Sequence, residues 1–121
     1  MSQRNDSGFG TITLTGTVPQ YARITAAGAV ATATQQDVGT AMVGGVSGEV
    51  IAYSFANKQG TTKMIAATDV AAGAKVFGAA NGKVSKTQAT DSFLAGIALE
   101  AAAGDGVIIE VLRINGDTPG T

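Results

Sequence analysis

An all-β fold, a small barrel or sandwich of short strands with an internal duplication and a flexible N-terminal arm, follows from three features of this sequence. The first is its punctuation. Short runs of apolar and Thr residues alternate with Gly, Asn and Asp turn signals along the chain, and no long 3.6-residue period appears. The second is residues 107–114, the strongest strand. Val107, Ile109 and Val111 lie on one face and Ile108, Leu112 and Ile114 on the other, with Glu110 polar among them. A strand apolar on both faces must be covered on both, inside a barrel or sandwich or inside an interface. The third is internal similarity. Gly39 and Gly96, Ala41 and Ala98, Val50 and Val107, Ile51 and Ile108, and Phe55 and Leu112 are all 57 positions apart. Upstream, Ala26, Gly28 and Val30 match Ala80, Gly82 and Val84 at a spacing of 54. These spacings imply two related halves, about 21–55 and 75–112.

In chain order, residues 1–9 are expected to form a polar arm. Residues 10–18 alternate Thr with Ile and Leu, as a half-buried strand does, and Pro19 ends it. Ala26-Ala27-Gly28 is a hairpin turn between residues 21–25 and 29–34, and Gln35-Gln36-Asp37 is a polar connection. Residues 38–55 form a strand–turn–strand unit, 62–66 a short strand, and 74–78 another. Thr68 or Asp69 as cap and Gly73 as stop would allow a helical turn within 66–74, and a second could fall within 99–103. Asn81-Gly82 is a hairpin signal. Residues 83–86 read as a strand edge and 87–92 as a polar loop. Gly104-Asp105-Gly106 turns the chain into the last strand, and 115–121 is a polar tail. Residues 10–114 thus form one domain.

Composition narrows the function. Of 121 residues, 22 are Ala and 17 Gly, so about a third of the chain carries almost no side chain to bury. There is no Trp, and Phe and Tyr total six. Apolar burial stabilises by about 25 cal/mol per Å², so an Ala-rich core is thin, and packing against copies of the same chain or a larger assembly would supplement it. The net charge of −1 points to no nucleic-acid groove and no polybasic membrane face. No stretch has the 18 apolar residues of a transmembrane helix. Residues 1–10 lack the apolar core of a secretory signal, so the protein is expected to be made and used without classical secretion.

The chain has neither His nor Cys. The commonest general base, a thiol nucleophile and the usual zinc ligands are therefore absent, and its Ser and Thr hydroxyls have no evident base. Asp105 and Asp117 sit beside Gly in turns, where Asp serves backbone geometry. Gly44-Gly45 lacks the Gly-Lys-Ser/Thr sequence of a phosphate loop. Lys63-Met64 faintly resembles the modified lysine of biotinyl and lipoyl carrier barrels. Thr62 precedes it, however, and the segment reads as strand rather than hairpin tip. No enzyme activity and no cofactor or metal is expected; the residues describe a protein that packs.

The polar arm of residues 2–8, the segment Asp69-Val-Ala-Ala-Gly-Ala-Lys-Val76, the turn Asn81-Gly82-Lys83-Val84, and Gly96-Ile-Ala-Leu-Glu-Ala-Ala-Ala-Gly-Asp-Gly-Val107 leading into a terminal strand resemble the capsid decoration (head-stabilising, cement) proteins of tailed bacteriophages. The similarity spans about 21–114. It implies a structural virion protein on the outer capsid surface, made in the host cytoplasm, with the major capsid protein as partner, neighbouring capsid subunits bridged, and a homo-trimer as the assembly. On that reading Ser2, Gln3, Arg4, Asn5, Asp6 and Phe9 are the candidate capsid contacts, and Val107, Ile109 and Val111 the oligomer or core strand. Gln35 to Asp37 and Thr87 to Ser92 are the next candidate contacts. Other readings of the same composition are an oligomeric surface-array or adhesion module and a carrier barrel modified at Lys63.

Overall fold

The alternation of Thr with apolar residues after Gly8 makes the first of nine strands found among the described residues. The computed structural model describes residues 8–56, 60–88 and 92–114. The strands are β1 (Phe9–Thr13), β2 (Arg23–Ile24), β3 (Gly39–Ala41), β4 (Val50–Phe55), β5 (Thr61–Ile65), β6 (Lys75–Gly78), β7 (Val84–Ser85), β8 (Leu94–Ala98) and β9 (Ile108–Arg113). They form two antiparallel sheets, one in the order β1-β4-β3-β2 and the other β5-β9-β8-β6-β7. The result is a sandwich of two sheets rather than a closed barrel.

The two sheets are built alike, and their hydrogen bonds set the correspondence residue by residue. Val18 and Gly45 exchange two backbone bonds of 2.9 Å, and Val70 and Ala102 exchange bonds of 3.0 and 2.8 Å. Tyr21 donates its N–H to Ala41 and Gly73 to Ala98, each at 2.7 Å. Leu14 bonds to Glu49 and Ala66 to Val107, each at 2.8 Å. Residues 8–24 therefore match 60–76 at a spacing of 52, 38–45 match 95–102 at 57, and 48–56 match 106–114 at 58. The spacing of 54 applies only to the hairpin turn, where Thr25 bonds to Ala29 and Ala79 to Lys83. The pairing of β6 with β8 shifts between Val76 and Phe77, and there the second half gains two residues. The related segments thus include Phe9 and Thr61, which pair with Ser54 and Leu112, and so reach further toward the N-terminus than the 21–55 and 75–112 expected.

A one-residue correction to the expected register follows. Val50 to Phe55 corresponds to Ile108 to Arg113, not to Val107 to Leu112, because the β8–β9 connection is one residue longer than the β3–β4 connection. Burial agrees. Ile51 and Ile109 are 5% and 1% exposed, while Val50 and Ile108 are 64% and 47% exposed. A slip of one residue turns every side chain to the opposite face. Val107 lies just outside β9 with its side chain exposed, so it is not a core residue, whereas Ile109 and Val111 are.

Each half has its own small core. Leu14, Val18, Ala22, Ile24, Ala41 and Ile51 form the first, joined by Ile65 from β5; Met64, Val70, Val76, Val84, Ala98, Ile109 and Val111 lead the second. Gly39 and Gly96 occupy matching sites where strands approach closely. A Cβ there would run into the carbonyl oxygen of Ser54 or of Leu112, so neither position accepts a side chain.

Four further expectations change. Phe9 belongs to β1, and the Gly8 carbonyl accepts the Phe55 N–H at 2.9 Å, so the fold begins before residue 10. The first strand ends at Thr13, with Leu14 and Val18 still buried. No helical turn forms within 66–74 or 99–103, because the reciprocal Val70–Ala102 bonds hold both segments in bridge geometry. Finally β9 is not covered on both faces: Ile108, Leu112 and Ile114 remain 47%, 40% and 41% exposed. At Asn81-Gly82 the hairpin signal is realised as a short 3-10 turn, both residues having positive φ of 62° and 72°.

Replacing Ile109 with Asp buries an unpaired carboxylate and is expected to cost more than about 4 kcal/mol, enough to unfold a protein of ordinary stability. Val107→Asp, one residue beyond the strand and exposed, is expected to cost less than about 1 kcal/mol. Thermal denaturation followed by circular dichroism separates the two; equal melting temperatures would show the register to be wrong.

Candidate interaction surfaces

The two halves are joined by charge. Asp37, which precedes β3, accepts two hydrogen bonds of 3.0 Å from the Arg113 guanidinium at the end of β9, and it lies 3.7 Å from Arg23 on β2. All three side chains are 5% exposed or less. Arg23 reaches across to the second half, donating to the carbonyls of Lys83 at 3.0 Å and Ala79 at 2.7 Å, and it also bonds to Thr32 at 3.1 Å. Burial pushes the Arg23 pKa below its ordinary value; the charge of Asp37 opposes this, and that of Arg113 adds to it. Beside this network Thr62 of β5 packs its hydroxyl 3.0 Å from Thr40 and 3.1 Å from Ser54, which are themselves 2.8 Å apart. Gly82 donates to the Ala31 carbonyl at 2.9 Å. The joint is thus largely polar, with Ile65 its apolar contact to the first core, and no buried side-chain donor or acceptor among the described residues lacks a partner.

Asp37 was expected to be an exposed contact residue in a polar connection. It is buried because it neutralises two guanidiniums brought from residues 14 and 76 positions away, a meeting that only the fold produces. Among the neighbouring candidates, Gln35, Gln36, Thr87 and Gln88 are exposed, and Ser92 is fully buried. The arm candidates Ser2, Gln3, Arg4, Asn5 and Asp6 lie outside the described residues. Phe9 stands at the start of β1, 40% exposed, opposite Ser54. Ile109 and Val111 fill the second core and present nothing to a partner.

Two apolar surfaces stand open. One is the β3–β4 connection, where Met42, Val43 and Val46 are 40%, 48% and 54% exposed. Met42 also lines a cleft of about 260 Å³ with Phe9, Tyr21, Thr40, Thr62 and Lys63. The other is the outer face of β8 and β9, with Leu112, Ile114 and Ile108. Sequence reasoning expected the residues of β9 to be covered on both faces and left the β3–β4 connection as a turn; which side of β9 stays open depends on which sheet face meets the core.

Lys63 lies in the middle of β5, with its ammonium 5.8 Å from the centre of the Tyr21 ring. A strand interior is not the hairpin tip that the carrier reading requires. Asp105 accepts a 2.7 Å bond from Lys83 in the turn before β9, a surface pair. Among the described residues no group of three or more Asp or Glu is arranged to hold a metal ion. The described residues form a β-sandwich with two open apolar surfaces. No protein-family model and no curated protein matches the chain.

Removing one partner from a buried charge cluster leaves the others uncompensated. Asp37→Ala, which strands two guanidiniums, is expected to destabilise the protein by about 3–5 kcal/mol. Urea denaturation measures this; a loss below about 1 kcal/mol would mean that solvent reaches the cluster.

Proposed function

We propose that this protein is a capsid decoration protein, which binds the outer surface of an assembled tailed-phage capsid and stabilises it by bridging neighbouring subunits. The observation that carries the reading is the open apolar β3–β4 connection, Met42, Val43 and Val46, beside the point where the N-terminal segment joins the fold at Phe9. Exposed apolar patches of this kind mark interaction sites. The resemblance of residues 21–114 to decoration proteins and the absence of His and Cys from the sequence support it.

The mechanism needs no chemistry. A ligand that binds the assembled lattice and not its free subunits shifts the equilibrium toward assembly by mass action. The many equivalent sites of a capsid add avidity when the bound module is itself multivalent, as the trimer implied by the resemblance would be. Residues 2–7 add the second contact in this proposal. An extended segment paired to a capsid sheet edge gains main-chain hydrogen bonds. Ordering it costs about 1–2 kcal/mol per residue, so apolar burial beside Phe9 and Met42 must accompany the pairing. Arg4 and Asp6 at an exposed rim would contribute about 0–1 kcal/mol each.

The test is cosedimentation with mature tailed-phage capsids stripped of their own decoration protein, followed by imaging. Added density at lattice symmetry axes is the expected result. Deleting residues 2–7, or changing Val43 and Val46 to Asp, should leave the melting temperature unchanged and weaken binding at least tenfold. Capsids that take up no protein, or unchanged affinity in both variants, would reject the proposal or its contact surface respectively.

A further inference from the structure

The two halves share one design but not one environment, and the difference identifies a surface and its occupant. In the first sheet a row of side chains runs across the outer face: Phe9 on β1, Ser54 on β4, Thr40 on β3 and Arg23 on β2. The second half covers this row beyond Phe9, leaving Ser54, Thr40 and Arg23 only 5%, 2% and 1% exposed, while Phe9 at its end is 40% exposed. The matching row in the second sheet is Thr61, Leu112, Ile97 and Lys75. Here Lys75 is exposed, Leu112 is 40% exposed and Ile97 is half-buried. One step along, Ala56 is 8% exposed where its counterpart Ile114 is 41% exposed. The second sheet thus carries larger apolar side chains at positions that the first sheet buries.

What covers the first row is also known. It is the β5 side of the second half, through Thr62, together with the Ala79 and Lys83 carbonyls that receive Arg23. Ile65 packs into the first core, and Lys63 lies over Tyr21. The counterparts of these covering groups in the first half are Gly10, Thr25, Ala29, Thr13 and Thr11. Thr11 and Thr13 are exposed, and Gly10, Thr25 and Ala29 are half-buried. The chain therefore carries one partly open copy of the receiving surface, exposed at Lys75 and Leu112, and one partly open copy of the surface that covers it, exposed at Thr11 and Thr13.

We propose that the protein self-associates head to tail, with the first half of one copy seated on the outer face of β8 and β9 of the next, repeating between molecules the joint made within each. Lys75 takes the place of Arg23 and donates to the Thr25 and Ala29 carbonyls of the neighbour. Leu112, Ile97 and Ile114 supply apolar burial where the internal joint uses hydroxyls, which suits a contact formed after the chain has folded. Such a contact is heterologous: the two surfaces differ, and repetition yields a closed ring or an open filament according to the angle between copies. The inference does not depend on the capsid reading, because it rests on the internal symmetry of the chain alone.

Sedimentation velocity with pairs of variants tests it. The wild-type chain should sediment well above its 12.0 kDa monomer mass. Leu112→Asp spoils the receiving face, and the double variant Thr11→Glu, Thr13→Glu spoils the covering face. Each alone should be monomeric with an unchanged melting temperature, since all three positions are exposed. Mixed in equal amounts, they should form a one-to-one dimer and nothing larger, because the mixture contains a single intact pair of surfaces. A wild-type protein that stays monomeric at its highest soluble concentration would overturn the proposal. So would a Thr11, Thr13 variant that assembles like the wild type, which indicates a symmetric contact through β9. So would a Leu112→Asp variant that unfolds, which indicates that the chain's own residues cover this face.

Discussion

The structure depends on a carboxylate placed between two guanidiniums. Asp37 is held by Arg113 through a two-pronged bond and approached by Arg23, with all three side chains removed from water. Ion pairs at such depth are costly to desolvate, and they persist where geometry is good and every donor is used. Arg23 meets that condition by also bonding carbonyls of both halves. Neither core is large: the first is built from seven buried residues, two of them Ala. Small cores of this kind gain little from apolar burial alone. The charged joint fixes one orientation between them, since a displaced Asp37 would leave two buried cations unpaired.

The two halves show how one backbone ladder supports different surface chemistry. Bonds recur at matching positions, down to the positive φ shared by Tyr21 at 69° and Gly73 at 87°. A non-glycine residue in that region carries strain of about 1–3 kcal/mol. Tyr21 is nevertheless packed against the first core and lies under Lys63 at the joint. Gly73, which has no such contact to make, takes the unstrained solution. The same divergence separates the buried polar row Arg23, Thr40 and Ser54 from the open row Lys75, Ile97 and Leu112. One row is thereby closed by the chain's own second half, while the other stands open to solvent at Lys75 and Leu112.

All-β architecture was legible from the chain because it rests on local physics. Alternation sets strand faces, and glycine and Asn-Gly set turns; Gly28, Gly48, Gly73, Gly82 and Gly106 all adopt the positive φ that turns demand. Relatedness of the halves was legible too, through glycines such as Gly39 and Gly96 whose lack of a side chain is enforced by a crossing carbonyl. What sequence matching misjudged was length within connections. Ala and Gly residues match many others equally well, so an alignment of 57 rather than 58 over β9 cost nothing in similarity, yet it set exposed Ile108, rather than buried Ile109, on the buried Ile51.

Tertiary structure alone decided which surfaces face water. The sequence determined that 107–114 carries apolar residues on both faces of a strand; only the packing of the second half around its own core decided that Ile109 and Val111 are buried while Leu112 and Ile114 stand open. It determined that Asp37 is charged and follows a polar stretch, which suggests a surface site. Only the meeting of Arg23 and Arg113 made its burial favourable. The physical reason is common to both cases. Strand periodicity and turn chemistry act over a few residues and are written locally, whereas desolvation depends on every group that surrounds a side chain, and those groups come from distant parts of the chain.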